Sequence, residues 1–268
     1  MFYQPVSIEE ALELKSRLLE RARFVAGGTD LVVLLNHGSP APGHIIDLSR
    51  IRALRKIRRR DGSIEAGSCV TFQQCIHLPV ECLAAAAASV GGPGIREMGT
   101  LGGNLATASP AGDGSTALLS LDAELELASA GSKRRIAVDK FFLDYRRTDL
   151  GDHEMIRSIR FPAAKRSRWA KVGKRGAVNI SIVAASAAMA TDGKVRLALA
   201  SVAPTPMRCY RTEDFLDRHG LRLETIEEAA SIARSEVRPI TDHRASAEYK
   251  RHLTGVLVRR LLEGFVSS

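Results

Sequence analysis

Apolar and polar positions along this chain follow two alternating periods. Ser7-Ile8-Glu9-Glu10 reads as a capping box, and Ala11, Leu12, Leu14 and Leu18 then fall on one side of a helix. Phe24-Val25-Ala26 reads as a short strand that runs into Gly27-Gly28. Residues 31–35 (LVVLL) fit a helix or a buried strand equally, and residues 44–48 read as a second strand. Asp61-Gly62 is a hairpin-turn signal that leads into the strand-like residues 63–67. Thr71-Phe72-Gln73-Gln74 starts another helix, and an alanine-rich helix over 80–90 stops at Gly91-Gly92-Pro93-Gly94. A short helix over 115–121 precedes the alternating strand at 123–128, and residues 135–138 continue the sheet.

The pattern breaks over 160–168, where Pro162 and a run of basic residues interrupt it. Beyond the break, residues 179–189 and 194–202 read as neighbouring strands around Thr191-Asp192-Gly193. Thr225-Ile226-Glu227-Glu228 caps a helix through Arg234. A final helix over 249–262 places Leu253, Leu257 and Leu261 on its apolar side, with its basic residues solvated. These elements predict an α+β chain of two units without an internal repeat.

Composition narrows the class. At 268 residues and 45% hydrophobic, the chain is long enough to bury a core in each unit. No apolar run approaches the roughly 20 residues that span a bilayer. Met1-Phe2-Tyr3-Gln4-Pro5 lacks a basic-then-apolar export signal, so a cytoplasmic protein without a membrane span is expected. Cys69, Cys75, Cys82 and Cys209 contain no C-x-x-C pair and read as ordinary reduced thiols, and the seven histidines form no metal array. The net charge of +9 raises nucleic-acid binding as an option. Its densest source, Arg50 to Arg60, reads instead as a solvated hairpin face without interleaved aromatics, and it suits an acidic partner subunit equally well.

Candidate chemistry concentrates in two glycine-rich segments, Ala26-Gly27-Gly28-Thr29-Asp30 and Thr100-Leu101-Gly102-Gly103-Asn104, the second running on to Ser109-Pro110-Ala111-Gly112-Asp113. Glycines after a strand let backbone N–H groups approach a diphosphate, and Thr29 adds a hydroxyl. Asn104, Thr107 and Ser109 supply further hydrogen-bonding groups. Asp113, read as lying in an exposed polar loop, is an acceptor for sugar or ribityl hydroxyls rather than a general base. Neither segment matches G-x-G-x-x-G or an ATP-binding P-loop. Each alone also fits a plain structural turn. Together they favour a dinucleotide held from two sides.

These segments resemble the two FAD-contacting segments of the FAD-binding subunit of the xanthine dehydrogenase and carbon monoxide dehydrogenase family of molybdenum hydroxylases. Gly102-Gly103-Asn104 and Ala108-Ser109-Pro110 are especially similar. Trp169-Ala170-Lys171 through Arg175, followed by Asn179-Ile180, resembles the family's aromatic-x-Lys, Arg and Asp run. Trp169 stands for the usual Phe or Tyr, and Asn179 for the usual Asp. Ala203-Pro204-Thr205-Pro206 and Arg244 to Tyr249 extend the similarity over nearly the whole chain.

The resemblance implies a two-lobed FAD-binding domain of the vanillyl-alcohol-oxidase (PCMH-like) type over 1–164 and a small α+β carboxy-terminal domain over 165–268. It implies FAD as the cofactor, with diphosphate contacts at Gly27, Gly28, Thr29, Gly102, Gly103 and Asn104. Ala26, Asp30 and Thr100 adjoin them, Thr107, Ser109 and Asp113 lie near the ribityl chain, and Lys171 approaches the isoalloxazine. It also implies that molybdopterin and [2Fe-2S] clusters reside on two partner subunits, in a dimer of heterotrimers. This chain would relay electrons, possess no catalytic acid, base or nucleophile, and serve xanthine or other purine oxidation as the first substrate class to test. Two alternatives stay open on sequence: a self-contained FAD-dependent reductase related to UDP-acetylenolpyruvoylglucosamine reductase, and a non-catalytic binding protein of the same fold.

Overall fold

The computed structural model describes residues 1–164, 166–176, 178 and 180–267. The chain opens with β1 (Phe2–Tyr3), α1 (Ile8–Leu18), β2 (Ala22–Val25), α2 (Leu31–Asn36) and β3 (His44–Asp47). The three strands form a parallel sheet in the order β1-β3-β2. Ser7 caps α1 by accepting from the Glu10 N–H at 3.1 Å, and the Glu10 carboxylate accepts from the Val6 N–H rather than from Ser7. The ambiguous 31–35 segment is helical, and Val32, Val33 and Leu34 remain exposed.

Next come β4 (Ile57–Arg60), β5 (Ser63–Gly67), and five helices: α3 (Phe72–Cys75), α4 (Glu81–Ser89), α5 (Pro93–Met98), α6 (Leu101–Thr107) and α7 (Asp113–Ser120). β6 (Glu124–Ser129), β7 (Ser132–Ala137), α8 (Val138–Phe141), the ribbon β8 (Phe142–Asp144) with β9 (Arg147–Thr148), and β10 (Met155–Pro162) complete this part. An antiparallel sheet runs in the order β4-β5-β10-β6-β7. Thr71 and Gln74 make both halves of a capping box on α3. The second glycine-rich segment is partly helical: Thr100 caps α6, which takes up its first half, and Asp113 opens α7 at its end, while Pro93 starts α5 just ahead of it.

The chain then enters β11 (Ser167–Val172), β12 (Val183–Met189), β13 (Val195–Ala200) and β14 (Met207–Arg208), an antiparallel sheet in that order. It ends with α9 (Tyr210–His219), α10 (Leu223–Glu236) and α11 (Ala247–Val266). Thr225 is not the cap of α10. It sits one turn inside, and its hydroxyl accepts from the Arg222 N–H at the true start. In α11 Lys250 is not solvated: it is 1% exposed and donates to Asp242 and the Ile240 carbonyl, both at 2.9 Å.

Six of the seven residues of β12 are buried, so both faces of this strand are covered. Val183, Ala185 and Ala187 meet the core beneath α9, α10 and α11, whereas Ala188 belongs to the core around α4 and α7. Small side chains on the latter face let α7 approach, and the Ser120 and Ser186 hydroxyls hydrogen-bond there at 2.6 Å. The carboxy-terminal sheet thus packs directly against α4 and α7, the latter starting where the second glycine segment ends.

Candidate functional site

β2 and β3 run in the same direction, so the turn after Val25 leaves the carboxyl end of the sheet, as ligand-binding turns of parallel sheets do. Gly28 has φ +69°, a left-handed conformation that glycine adopts without steric cost. A Cβ on Gly27 would lie 1.7 Å from the Met98 carbonyl oxygen, so this position admits only glycine. Among the described residues, the N–H groups of Gly27, Gly28, Thr29 and Asp30 donate to no protein acceptor. Four successive open donors form a ready anion cradle.

The second segment lies against the first. Met98 at the end of α5 abuts Gly27, and the Thr107 hydroxyl of α6 donates to the Asp30 carboxylate at 2.9 Å. The two segments are therefore in direct contact and share one wall. The backbone N–H groups of Gly102, Gly103 and Asn104 have partners within the chain. Gly102 donates to the Ser68 carbonyl at 2.9 Å, Gly103 to the Thr100 hydroxyl at 3.0 Å and Asn104 to the Thr100 carbonyl at 3.0 Å. A tertiary contact, the Thr100 cap and the first backbone bond of α6 thus consume these three N–H groups in turn. The Asn104 Oδ1 accepts from the Ser115 N–H and hydroxyl, which leaves its amide N–H₂ as the open donor. Ser109 accepts from the Ala111 N–H at 3.3 Å.

Asp113 does not lie in an exposed loop. It opens α7, is 7% exposed, and has both oxygens engaged. Lys171 Nζ donates to Oδ2 at 2.8 Å, Ser89 to the same oxygen at 3.1 Å, and Ser181 to Oδ1 at 2.8 Å. Burial pushes the Asp113 carboxyl above the ordinary carboxylate value, with the Lys171 charge and the three hydrogen bonds opposing that rise. Lys171 also donates to the Ser89 carbonyl at 3.1 Å. Arg96 Nη1 donates to the next two carbonyls, Val90 at 3.3 Å and Gly91 at 3.1 Å. Two cations thus cover the carboxyl end of α4, where the helix dipole favours positive charge.

Residues 1–164 match the family described as the FAD binding domain in molybdopterin dehydrogenase, and residues 168–265 match the CO dehydrogenase flavoprotein C-terminal domain. The chain belongs to the FAD-binding subunits of the xanthine dehydrogenase and carbon monoxide dehydrogenase family. It is 32% identical over 264 residues to the xanthine dehydrogenase FAD-binding subunit of Escherichia coli O157:H7, covering 92% of this chain and 90% of that one. The carbon monoxide dehydrogenase medium chain of Hydrogenophaga pseudoflava is 30% identical over 273 residues, with 97% and 95% covered. A solved carbon monoxide dehydrogenase from Hydrogenophaga pseudoflava, lacking the Mo-pyranopterin moiety, superposes with TM-score 0.91 at 30% identity, covering 98% of this chain and 95% of that one. These relatives favour the subunit reading over the self-contained reductase.

For an FAD-binding subunit, the residues fit their cofactor. The open N–H groups of Gly27 to Asp30 suit a diphosphate, and Val32, Ile95, Met98 and Val178 keep exposed apolar side chains around the same wall. Asn179 lies outside the described residues. Ser89, Ser181 and Arg96 were not singled out by motif. The serines carry no distinguishing sequence signal. Arg96 does carry one, as the only Lys or Arg between Arg60 and Lys133 in a basic chain. The four cysteines are free and buried, and burial pushes the Cys69 thiol up to about 11 and the Cys75 thiol to about 12.

Proposed function

We propose that this chain holds FAD along the wall formed by its two glycine segments and serves as the electron-exit subunit of a molybdenum hydroxylase. The observation that carries the reading is the run of open N–H groups at Gly27 to Asp30, braced by Met98 and Thr107, in a chain of this family. Bound FAD supplies the redox chemistry, accepting electrons from a [2Fe-2S] partner and passing them to an external acceptor.

The protein's part is binding and placement. Gly27, Gly28, Thr29 and Asp30 donate to the diphosphate, with Ala26 leading into the turn. Thr100 starts the helix that carries Gly102, Gly103 and Asn104 against the cofactor, and Asn104 offers its amide. Thr107 fixes Asp30. Ser109 adjoins the ribityl side, and Asp113 with Lys171 sets the floor between a cofactor domain over 1–164 and a carboxy-terminal domain over 165–268. Its partners in this reading are a small [2Fe-2S] subunit and a large molybdopterin subunit, assembled as a dimer of heterotrimers in the cytoplasm. Among the described residues no helix is long and apolar enough to cross a membrane. Xanthine or another purine is the first substrate to test.

Isolation of the native complex tests the reading. FAD at one per copy of this chain, with iron–sulfur and molybdopterin on two co-purifying polypeptides, is the expected result. A folded chain that retains no FAD would overturn the cofactor assignment, and full hydroxylase activity from this chain alone would overturn the division among subunits.

A further inference from the structure

Among the described residues, Arg96 is the cation at the carboxyl end of α4 that has no carboxylate partner. Lys171, the other cation on the carboxyl end of α4, is paired with Asp113 at 2.8 Å. Arg96 has no carboxylate within ion-pair distance among the described residues, and only its Nη1 finds acceptors, the Val90 and Gly91 carbonyls. Among the described residues its Nε is buried without a partner, and Nη2 has no protein acceptor but is not fully buried. A half-buried guanidinium with one edge tied down and the other open presents a fixed positive charge. Guanidinium donors normally find acceptors when buried, so an anionic group is the natural complement.

α5 separates two kinds of surface. Its carboxyl end, Met98, abuts Gly27 and the open N–H cradle. Its amino end follows Gly91, which Ile95 crowds, and Gly92, beside which Val178 lies, and both apolar side chains remain exposed. Phosphates suit the first end and a planar ring the second. Arg96 belongs to the second, because its held edge grips Val90 and Gly91.

We propose that Arg96 is a positioning residue that sets the reduction potential of the bound FAD, placing an unneutralised charge at the ring end of the site. The inference rests on the FAD reading above. Reduced FAD carries a negative charge on its ring system at neutral pH, whereas the oxidised ring is neutral. A nearby fixed cation in a partly dry site therefore holds the reduced form more tightly. The Arg96–carbonyl bonds also fix the α4–α5 turn, so the charge stays in one place.

The test compares wild type, Arg96→Gln and Arg96→Lys, each loaded with FAD and reduced stepwise with dithionite against a reference dye. Flavin content reports the FAD reading separately from the potential. Arg96→Gln is expected to retain flavin but to lose about tenfold in preference for reduced over oxidised FAD, equal to a midpoint about 30 mV lower for a two-electron couple. Arg96→Lys, which keeps the charge, is expected to stay within about threefold of wild type. Pro93→Asp leaves Arg96 in place and puts a carboxylate three residues before it on α5, so it should shift the midpoint in the same direction even if Arg96→Gln folds poorly. An unchanged midpoint in Arg96→Gln or in Pro93→Asp, or an equal fall in Arg96→Lys and Arg96→Gln, would overturn the proposal. A wild-type chain without flavin would instead overturn the FAD reading.

Discussion

Lys171 and Asp113 join at 2.8 Å across the contact between the carboxy-terminal sheet and α7, with side chains 11% and 9% exposed. A pair this dry is costly to break from one side, because the remaining charge has lost its water. Lys171→Met is expected to destabilise the chain by about 3–5 kcal/mol in urea unfolding. Adding Asp113→Asn should recover part of that loss, with a coupling of about 1–3 kcal/mol in the double-mutant cycle. Additive single effects would show that the pair does not hold the two parts together.

The same variant has a pH signature. Burial already raises the Asp113 carboxyl, and removing Lys171 deletes the main opposing influence. A group whose folded value lies above its unfolded one, about 3.9 for Asp, contributes stability below the unfolded value and loses it as pH rises through the folded one. Lys171→Met should therefore lose stability relative to wild type as pH is raised from about 4 toward neutrality. Thermal melts over that range measure it, and a pH-independent difference would contradict the assignment.

Gly27 and Gly28 require glycine for different reasons, so alanine should separate them. At Gly27 the added Cβ meets a backbone carbonyl at 1.7 Å, which moves only if α5 moves. At Gly28 it meets the Val32 side chain at 3.1 Å and a left-handed φ of +69°. Gly28→Ala should cost about 1–2 kcal/mol of backbone strain. Gly27→Ala should cost more and should also separate Met98 from the cradle. Melting temperature and FAD retention measured together give the order, and a Gly27→Ala chain as stable as wild type would contradict the contact.

Much of this arrangement was legible in sequence because local signals govern it. Thr71 and Gln74 cap α3 as their spacing predicts, and β12 and β13 pair around Thr191-Asp192-Gly193. The helical state of residues 93–98 and 101–107 was not legible. Their glycines lower helix propensity, and the donors at Leu101 and Gly102 are satisfied by Val70 and Ser68, far away in sequence. Asp113 likewise sits in a polar stretch, and only the arrival of Lys171 and Ser181 from the second part of the chain shows that it is buried. The glycine segments could be found from sequence, whereas their mutual contact depends on tertiary packing.

Thr107 and Asp30 test that contact directly. Thr107→Val removes the 2.9 Å hydrogen bond while keeping the β-branched shape. The expected stability loss is about 0.5–1.5 kcal/mol, with Asp30 free to leave the cradle and FAD affinity falling by about tenfold for each 1.4 kcal/mol of lost placement. Fluorescence titration of the apo-chain with FAD measures it. An unchanged affinity would show that α6 does not brace the first turn.

Asp242 governs the acid limit of the carboxy-terminal part. Burial alone would raise its carboxyl, but hydrogen bonds from Arg244 and Lys250, with the Arg244 and Ala245 N–H groups, hold it well below the usual carboxylate range. Lys250, a residue of α11, is buried, so protonating Asp242 strands its cation without a counter-charge. A depressed folded value contributes stability that is complete above the unfolded value, about 3.9, and is lost as pH falls through the folded one. Wild type should therefore lose melting temperature steeply below about pH 4. Asp242→Asn should be less stable at neutral pH, where Lys250 already lacks its counter-charge, and flatter on acidification. If both chains show the same acid slope, other carboxylates set that limit and the Asp242–Lys250 pair does not.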